Sequence, residues 1–423
     1  MTAGADLVVR NIGLLATLAG PAPRTGPAAR DLGLVEGAAI AASSGRIVYA
    51  GPEPGLPPAA SAPGVVVLDA GGGAVVPGFV DGHTHLAFAG DRDDEIRRRL
   101  AGASYKEIAA AGGGIVRSVS ATRAASKDEL VQGIVSRLDE MLLCGTTTAE
   151  VKSGYGLTTE AEIRSLEAIR AASERHPLAV VSTFLGAHEV PLEHRADRGR
   201  YVDLLVGEMV PEVARRGLAE FCDVFCEEGV FSVAETRRIL EAARRHGLSL
   251  RLHADELGWT GGAELAAELG CRSADHLIFA SEAGIRAMAD ASVVATLLPA
   301  AAFYLRLPRF APAREMIGAG CAVALASDVN PAGGLSPSLP FAMAVGCFGM
   351  GLSLEEALAA VTLNGACSLQ REHEVGSLVP GKWADLVVLR SARLLDLVRV
   401  GVPAVRAVVK RGKIVVQDGR RMA

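Results

Sequence analysis

Two rhythms of apolar spacing divide the chain. In its middle, short β-branched or apolar runs recur at Ala74–Val80, Thr146–Val151, Ala179–Leu185, Glu220–Cys226, Ser249–His253, Ser273–Ile278, Ser292–Leu297 and Val323–Ser327. Runs of this length bounded by turn residues read as strands, and the helical spacing after each reads as an amphipathic helix. Several helices are announced by a capping box, in which a Ser or Thr and a Glu three residues on satisfy orphan amides. These are Ser126…Glu129, Thr159…Glu162, Ser232…Glu235 and Ser353…Glu356. Eight strand–helix units predict a (β/α)8 TIM barrel. An open doubly wound sheet is the alternative, but no Gly-x-Gly-x-x-Gly follows a strand. Gly112-Gly113-Gly114 follows a helical stretch and is a weak phosphate loop.

The two ends alternate with a strand period. Asp6–Leu18, Ala38–Ser43 and Arg46–Ala50 are β-like, with Ser44-Gly45 as a hairpin turn, and the Pro/Gly/Ala-rich stretch Gly51–Gly64 interrupts them. Ala384–Leu389, Val405–Lys410 and Lys413–Gln417 are β-like again, with Arg411-Gly412 as a turn. The pattern predicts a small β-sandwich domain built from residues 1–75 and 376–423, around a barrel spanning 76–375.

Composition narrows the class. With 43 basic and 48 acidic residues among 423, the net charge is −5, and no basic stripe points to a nucleic-acid partner. Half the residues are apolar and only 4% are aromatic, which suits a layered core of small aliphatics. The N-terminus lacks a basic segment followed by an apolar one. The charge-free stretch Val329–Leu354 contains Pro331, Pro337 and Pro340, which argues against a membrane helix. Seven dispersed cysteines do not make a disulfide framework, and the pair Cys222/Cys226 has no second pair to complete a zinc site. The expectation is a cytoplasmic protein with reduced, mostly buried thiols.

In a (β/α)8 barrel, chemistry sits at the C-terminal ends of the strands. The first strand runs into Asp81-Gly82-His83-Thr84-His85, and residues i and i+2 of a strand share a face. The fifth ends at His253, the sixth carries His276 and the eighth ends at Asp328. Imidazole and carboxylate at one rim suit zinc or ferrous iron. A lone histidine there is more often structural, but several independent strand ends are hard to explain by packing. His176, His194, His246 and His373 fall in helix ends or polar loops and read as solvent-exposed.

These residues carry a resemblance. Val76-Pro77-Gly78-Phe79-Val80-Asp81-Gly82-His83-Thr84-His85 resembles the first-strand signature of the amidohydrolase superfamily, and Gly381-Lys382-Trp383-Ala384-Asp385-Leu386-Val387-Val388-Leu389 resembles its return into the small β domain. Glu107–Ile115, Glu150–Leu157, Gly186–Pro191 and His253–Leu257 are similar to segments of the imidazolonepropionases within that superfamily. The resemblance covers most of the chain. It implies hydrolysis of the cyclic amide 4-imidazolone-5-propanoate to N-formimidoyl-L-glutamate, with one Zn2+ or Fe2+/Fe3+ per chain at His83, His85, His253 and Asp328. It also implies substrate contacts from Arg92, Tyr155, His188, Glu256 and Asn330, with the loop residues Ala332 and Gly333, and catalytic roles for Glu256, His276 and Asp328. The implied partner is a small molecule with a carboxylate tail, and related enzymes are commonly homodimers.

The chain departs from the family where Asp-x-Asn-Pro-Gly-Ser/Thr becomes Asp328-Val329-Asn330-Pro331-Ala332-Gly333. A hydroxyl near the substrate's carboxylate is missing at Gly333, leaving backbone amides or Ser336 as replacements. Binuclear members carry a carboxylated lysine on the fourth strand, which here is lysine-free. Lys152, on the second, is in the wrong place. A related hydrolase acting on another cyclic amide, or an aminohydrolase of a heteroaromatic base, is the competing reading. A non-catalytic scaffold is disfavoured because all four ligand candidates are present.

Overall fold

The computed structural model describes residues 5–103 and 114–422. Most of the motif Glu107–Ile115, including Gly112 and Gly113, therefore lies outside the described residues. Eight parallel strands run in sequence order around a barrel: β6 (Phe79–Asp81), β7 (Thr146–Lys152), β8 (Ala179–Ala187), β9 (Phe221–Cys226), β10 (Ser249–Ala254), β11 (Ser273–His276), β12 (Val294–Leu297) and β13 (Val323–Leu325). Past the last ladder, the Asp328 N–H donates to the His83 carbonyl (3.0 Å) and the His85 N–H to the Val329 carbonyl (2.8 Å). The chain segments that follow β6 and β13 are thus joined where the site residues begin.

Strand period sorts the side chains. In β7, Ala149 and Val151 join the apolar layer beneath the helical jacket, whereas Glu150 and Lys152 have the opposite parity and are buried among charged partners. The jacket helices contribute residues three or four apart, as with Leu130, Ile134, Leu138 and Met141 of helix Lys127–Leu143.

The capping boxes at Ser126, Ser232 and Ser353 form. The fourth does not. Thr158, one residue earlier, caps helix Thr159–Arg175, and the buried Glu162 carboxylate instead accepts the N–H groups of Gly156 and Leu157. It thereby folds the loop that carries Tyr155.

The remaining strands form one nine-stranded mixed sheet. They are β1 (Leu7–Ala16), β2 (Leu34–Ser43), β3 (Arg46–Pro52), β4 (Val66–Asp69), β5 (Ala74–Pro77), β14 (Leu386–Leu389), β15 (Val405–Lys410), β16 (Lys413–Gln417) and β17 (Arg420–Arg421). The chain ends meet where β5 lies between β1 and β14. Both hairpin turns have positive φ at their two central residues, Ser44-Gly45 and Arg411-Gly412, as a tight two-residue connection requires.

The run Ala74–Val80, expected as one barrel strand, is two. Ala74–Pro77 pairs in the mixed sheet, and only Phe79–Asp81 enters the barrel. Gly78 is the crossing point: a Cβ there would lie 2.3 Å from Thr147 Oγ1, so no side chain fits. Among the described residues, no helix is long and apolar enough to cross a membrane.

His176, expected to be exposed, is buried. Its Nε2 lies 3.0 Å from Asp139 Oδ1 and its Nδ1 accepts the Leu178 N–H. It locks the end of its helix to the entry of β8. His246 and His373 are exposed, and His194 is half-buried.

Candidate active site

The C-terminal mouth of the barrel opens into a cavity of about 640 Å³. His85, His253, His276, Asp328, Glu256, Tyr155, His188, Arg92, Asn330, Ala332 and Gly333 all line it, so the structure brings together nearly every residue that the sequence singled out. His83 lies just below, fully buried.

The three histidines His83, His85 and His253 converge, their ligand atoms lying within 4.8 Å of one another. Nε2 of His85 is 3.2 Å from that of His83 and 3.4 Å from that of His253. Burial, reinforced by neighbouring cationic groups, holds His83 and His85 well below the usual imidazole range, so both rings are neutral. Nδ1 of His83 contacts Asp275 Oδ2 (2.6 Å), and Nδ1 of His253 lies 3.0 Å from Asp223 Oδ2. The Asp275 contact fixes the His83 tautomer that leaves Nε2 with a lone pair, and Asp223 faces His253 Nδ1 from behind.

Asp328 Oδ1 stands 3.4 Å from His85 Nε2 and 3.6 Å from His83 Nε2, buried and without a hydrogen-bond partner among the described residues. Imidazole nitrogens and an orphaned carboxylate oxygen facing one point are a donor set that would hold a divalent ion. The residues fit a metal. Without one, burial pushes the Asp328 carboxyl up to about 7.

Two carboxylates that the sequence reading left unassigned build the loop of Glu256. Glu227 Oε2 accepts the N–H groups of Glu256 and Leu257. Asp255, at φ 51°, accepts from the Thr260, Gly262 and Ala263 amides. Burial, then the charges of Asp328 and Glu227, raise the Glu256 carboxyl well above its usual range. Its Oε1 is 3.6 Å from His276 Nδ1. A carboxylic acid there both donates and accepts a hydrogen bond. His276 has φ 71° and Asp328 φ 54°, backbone conformations rare outside glycine that mark over-determined positions.

On the opposite wall, His188 stacks on His85 (centroids 4.9 Å apart), and its Nδ1 bonds the Gly154 carbonyl. Burial pushes it down to about 3. Tyr155 packs edge-on against both rings.

Arg92 donates through Nε and Nη2 to Glu95 Oε2, rather than pairing with its neighbours Asp91, Asp93 or Asp94. Glu95 also accepts the Gly114 N–H. Arg99, which the sequence reading missed, shares this wall and donates to the Ala332 carbonyl. Arg92, Glu95 and Arg99 follow a helical i, i+3, i+7 stripe along helix α1 (Asp93–Leu100) and the residue that precedes it, and that spacing was the available signal.

Asn330 is tied into its own loop. Its Nδ2 donates to the Asp328 carbonyl, and its Oδ1 accepts the Ala332 and Gly333 amides. Those amides are engaged by Asn330. Gly334 closes the turn, because a Cβ there would fall 1.7 Å from the Asp328 carbonyl oxygen. Ser336 Oγ accepts the Ser338 N–H.

The chain matches the sequence profile of the amidohydrolase family over residues 95–416. It is 52% identical over 418 residues to the imidazolonepropionase of Symbiobacterium thermophilum, covering 98% of each chain. It is 48% identical over 419 residues to that of Geobacillus kaustophilus, covering 98% of this chain and 99% of the relative. The fold is similar, at a TM-score of 0.76 and 17% identity over 98% of this chain and 96% of the other, to a variant atrazine chlorohydrolase from Arthrobacter aurescens complexed with zinc and atraton.

Proposed function

Because this chain belongs to the amidohydrolase family, we propose that its site hydrolyses the cyclic amide bond of 4-imidazolone-5-propanoate, giving N-formimidoyl-L-glutamate in histidine degradation. The observation that carries this reading is the polarity of the cavity. A donor set of three imidazoles and one carboxylate stands at its floor, and two arginines stand on its wall. A cyclic amide with an anionic tail spans those two regions.

His83, His85, His253 and Asp328 hold one divalent ion, zinc or iron. A bound ion of this kind supplies Lewis acidity and makes water acidic enough to act as a nucleophile near neutral pH. The chain's own groups do the rest. Asp328 accepts the attacking water's proton and passes it to the ring nitrogen as the C–N bond breaks. His276 donates a hydrogen bond to the carbonyl oxygen under attack. Glu256 binds the ring N–H through its carbonyl oxygen. Arg92 and Tyr155 receive the propanoate carboxylate, and Glu95 holds the guanidinium in place. Arg99 adds a second positive charge to that wall.

The deciding experiment is incubation of the metal-loaded protein with 4-imidazolone-5-propanoate, followed by mass detection of products. Formimidoylglutamate without ammonia is the expected result. Stoichiometric ammonia would mark an aminohydrolase and overturn the reading.

Arg92→Ala is expected to raise KM for the propanoate roughly tenfold to a hundredfold, the worth of ~1.5–3 kcal/mol in a charge-assisted bond. Steady-state kinetics check this, and an unchanged KM would contradict the carboxylate assignment.

A further inference from the structure

Beneath the donor set the barrel is filled by charge. Glu150, Lys152, Asp223, Arg251 and Asp275 are all fully buried. The Lys152 ammonium donates to Glu150 Oε1 and Asp223 Oδ2, each at 2.7 Å, and stands 4.0 Å from Asp275 Oδ2. Those two aspartate oxygens are the ones that face Nδ1 of His253 and of His83.

Arg251 contacts Asp275 at 3.0 Å, but it is also tied to the carbonyls of Gly82 and Ser368. Among the described residues, Lys152 alone forms ion pairs with both histidine-orienting carboxylates. Those pairs also make it an ammonium, not a free amine able to take up carbon dioxide. On the second strand it is not a metal bridge; it lies behind the carboxylates that face His83 and His253.

We propose that Lys152 is a positioning residue for the metal centre, clamping Asp223 and Asp275 against His253 and His83 so that both Nε2 atoms face the ion. Three carboxylates packed in a dry barrel repel one another, and the ammonium among them fixes where two of them point. Carboxylates that orient metal-bound histidines typically contribute tenfold to a hundredfold to metal affinity. Lys152 acts through two of them together.

The inference rests on the metal reading above, and the experiment separates the two. Lys152→Arg and the double variant Lys152→Met/Glu150→Gln, which removes one positive and one negative charge and so preserves the net charge of the plug, are compared with the wild type. Cobalt(II) affinity is measured by chelator competition, the absorption spectrum of the cobalt protein is recorded, and thermal unfolding confirms a folded chain.

The double variant is expected to bind cobalt about 10–100-fold more weakly, with a changed ligand-field spectrum. Lys152→Arg is expected to recover part of the affinity. A folded double variant with wild-type affinity and spectrum would overturn the clamp. Wild-type protein that binds no cobalt would instead overturn the metal reading itself.

Discussion

His253→Ala is expected to release the metal and abolish turnover, whereas His246→Ala leaves both unchanged. His253 supplies one of three converging Nε2 atoms and is held from behind by Asp223. Removing it cuts the donor set from four groups to three and leaves the Asp223 carboxylate buried behind an empty position, which weakens the hold on an ion. The loss is severe because a bound ion would lower the pKa of water to about 7. Losing most of that advantage costs about 10⁴-fold or more in kcat. His246, exposed at the end of helix Val233–Arg245, touches nothing in the cavity and is the matched control. Elemental analysis of metal per chain beside kcat for both variants checks this. Normal metal content with retained turnover in His253→Ala would remove His253 from the ligand set.

The contrast between these two histidines was legible in the sequence because barrel chemistry sits at strand ends and His253 closes a strand. The same reasoning found His83 and His85, whose spacing of two is the strand period. It failed where burial has no periodic signature. His176 follows a helix in a polar stretch and reads as exposed, but its partners Asp139 and Leu178 are supplied by tertiary packing.

The crossing at Gly78 was hidden for a related reason. Residues 74–80 are buried throughout, so no alternation betrays the passage from one sheet to another.

The charged plug was partly legible. Lys152 and Glu150 share a parity, as do Arg251 and His253, or Ser273 and Asp275. Charged residues that recur with the parity of a metal ligand inside an apolar strand are a sign of an inward-facing network. Reading Lys152 only as a candidate for carboxylation missed this, since its function depends on Asp223 and Asp275 from two other strands. The loop after Asp328 needed coordinates for its own reason: only there is it visible that Asn330 consumes the Ala332 and Gly333 amides.

Asp328→Asn is expected to flatten the pH dependence of metal binding as well as to slow catalysis. In the metal-free site, burial raises the Asp328 carboxyl from 3.8 to about 7. The sign follows from which form binds. Below pH about 7 the folded protein holds a proton there, an ion must displace it, and affinity falls about tenfold for each pH unit lost. Above pH about 7 the carboxylate is already formed and the dependence levels off.

His83, His85, His188 and His276 all sit below the usual imidazole range, so they stay neutral and add no proton competition in the window just below 7. Asp81 is also raised to about 7 by burial, but it faces Ser327 and persists in the variant, so the difference between the two proteins reports chiefly the loss of the Asp328 carboxyl. The variant therefore binds more weakly than wild type at pH 8, and the two curves converge as pH drops. Its kcat falls by about 10²–10⁴-fold, the usual worth of a positioned proton acceptor. Metal titrations of both proteins between pH 5.5 and 8.5, with kcat at the upper end, test the two halves together. Parallel affinity curves would show that Asp328 does not ligate the ion, and an undiminished kcat would show that it does not carry the proton.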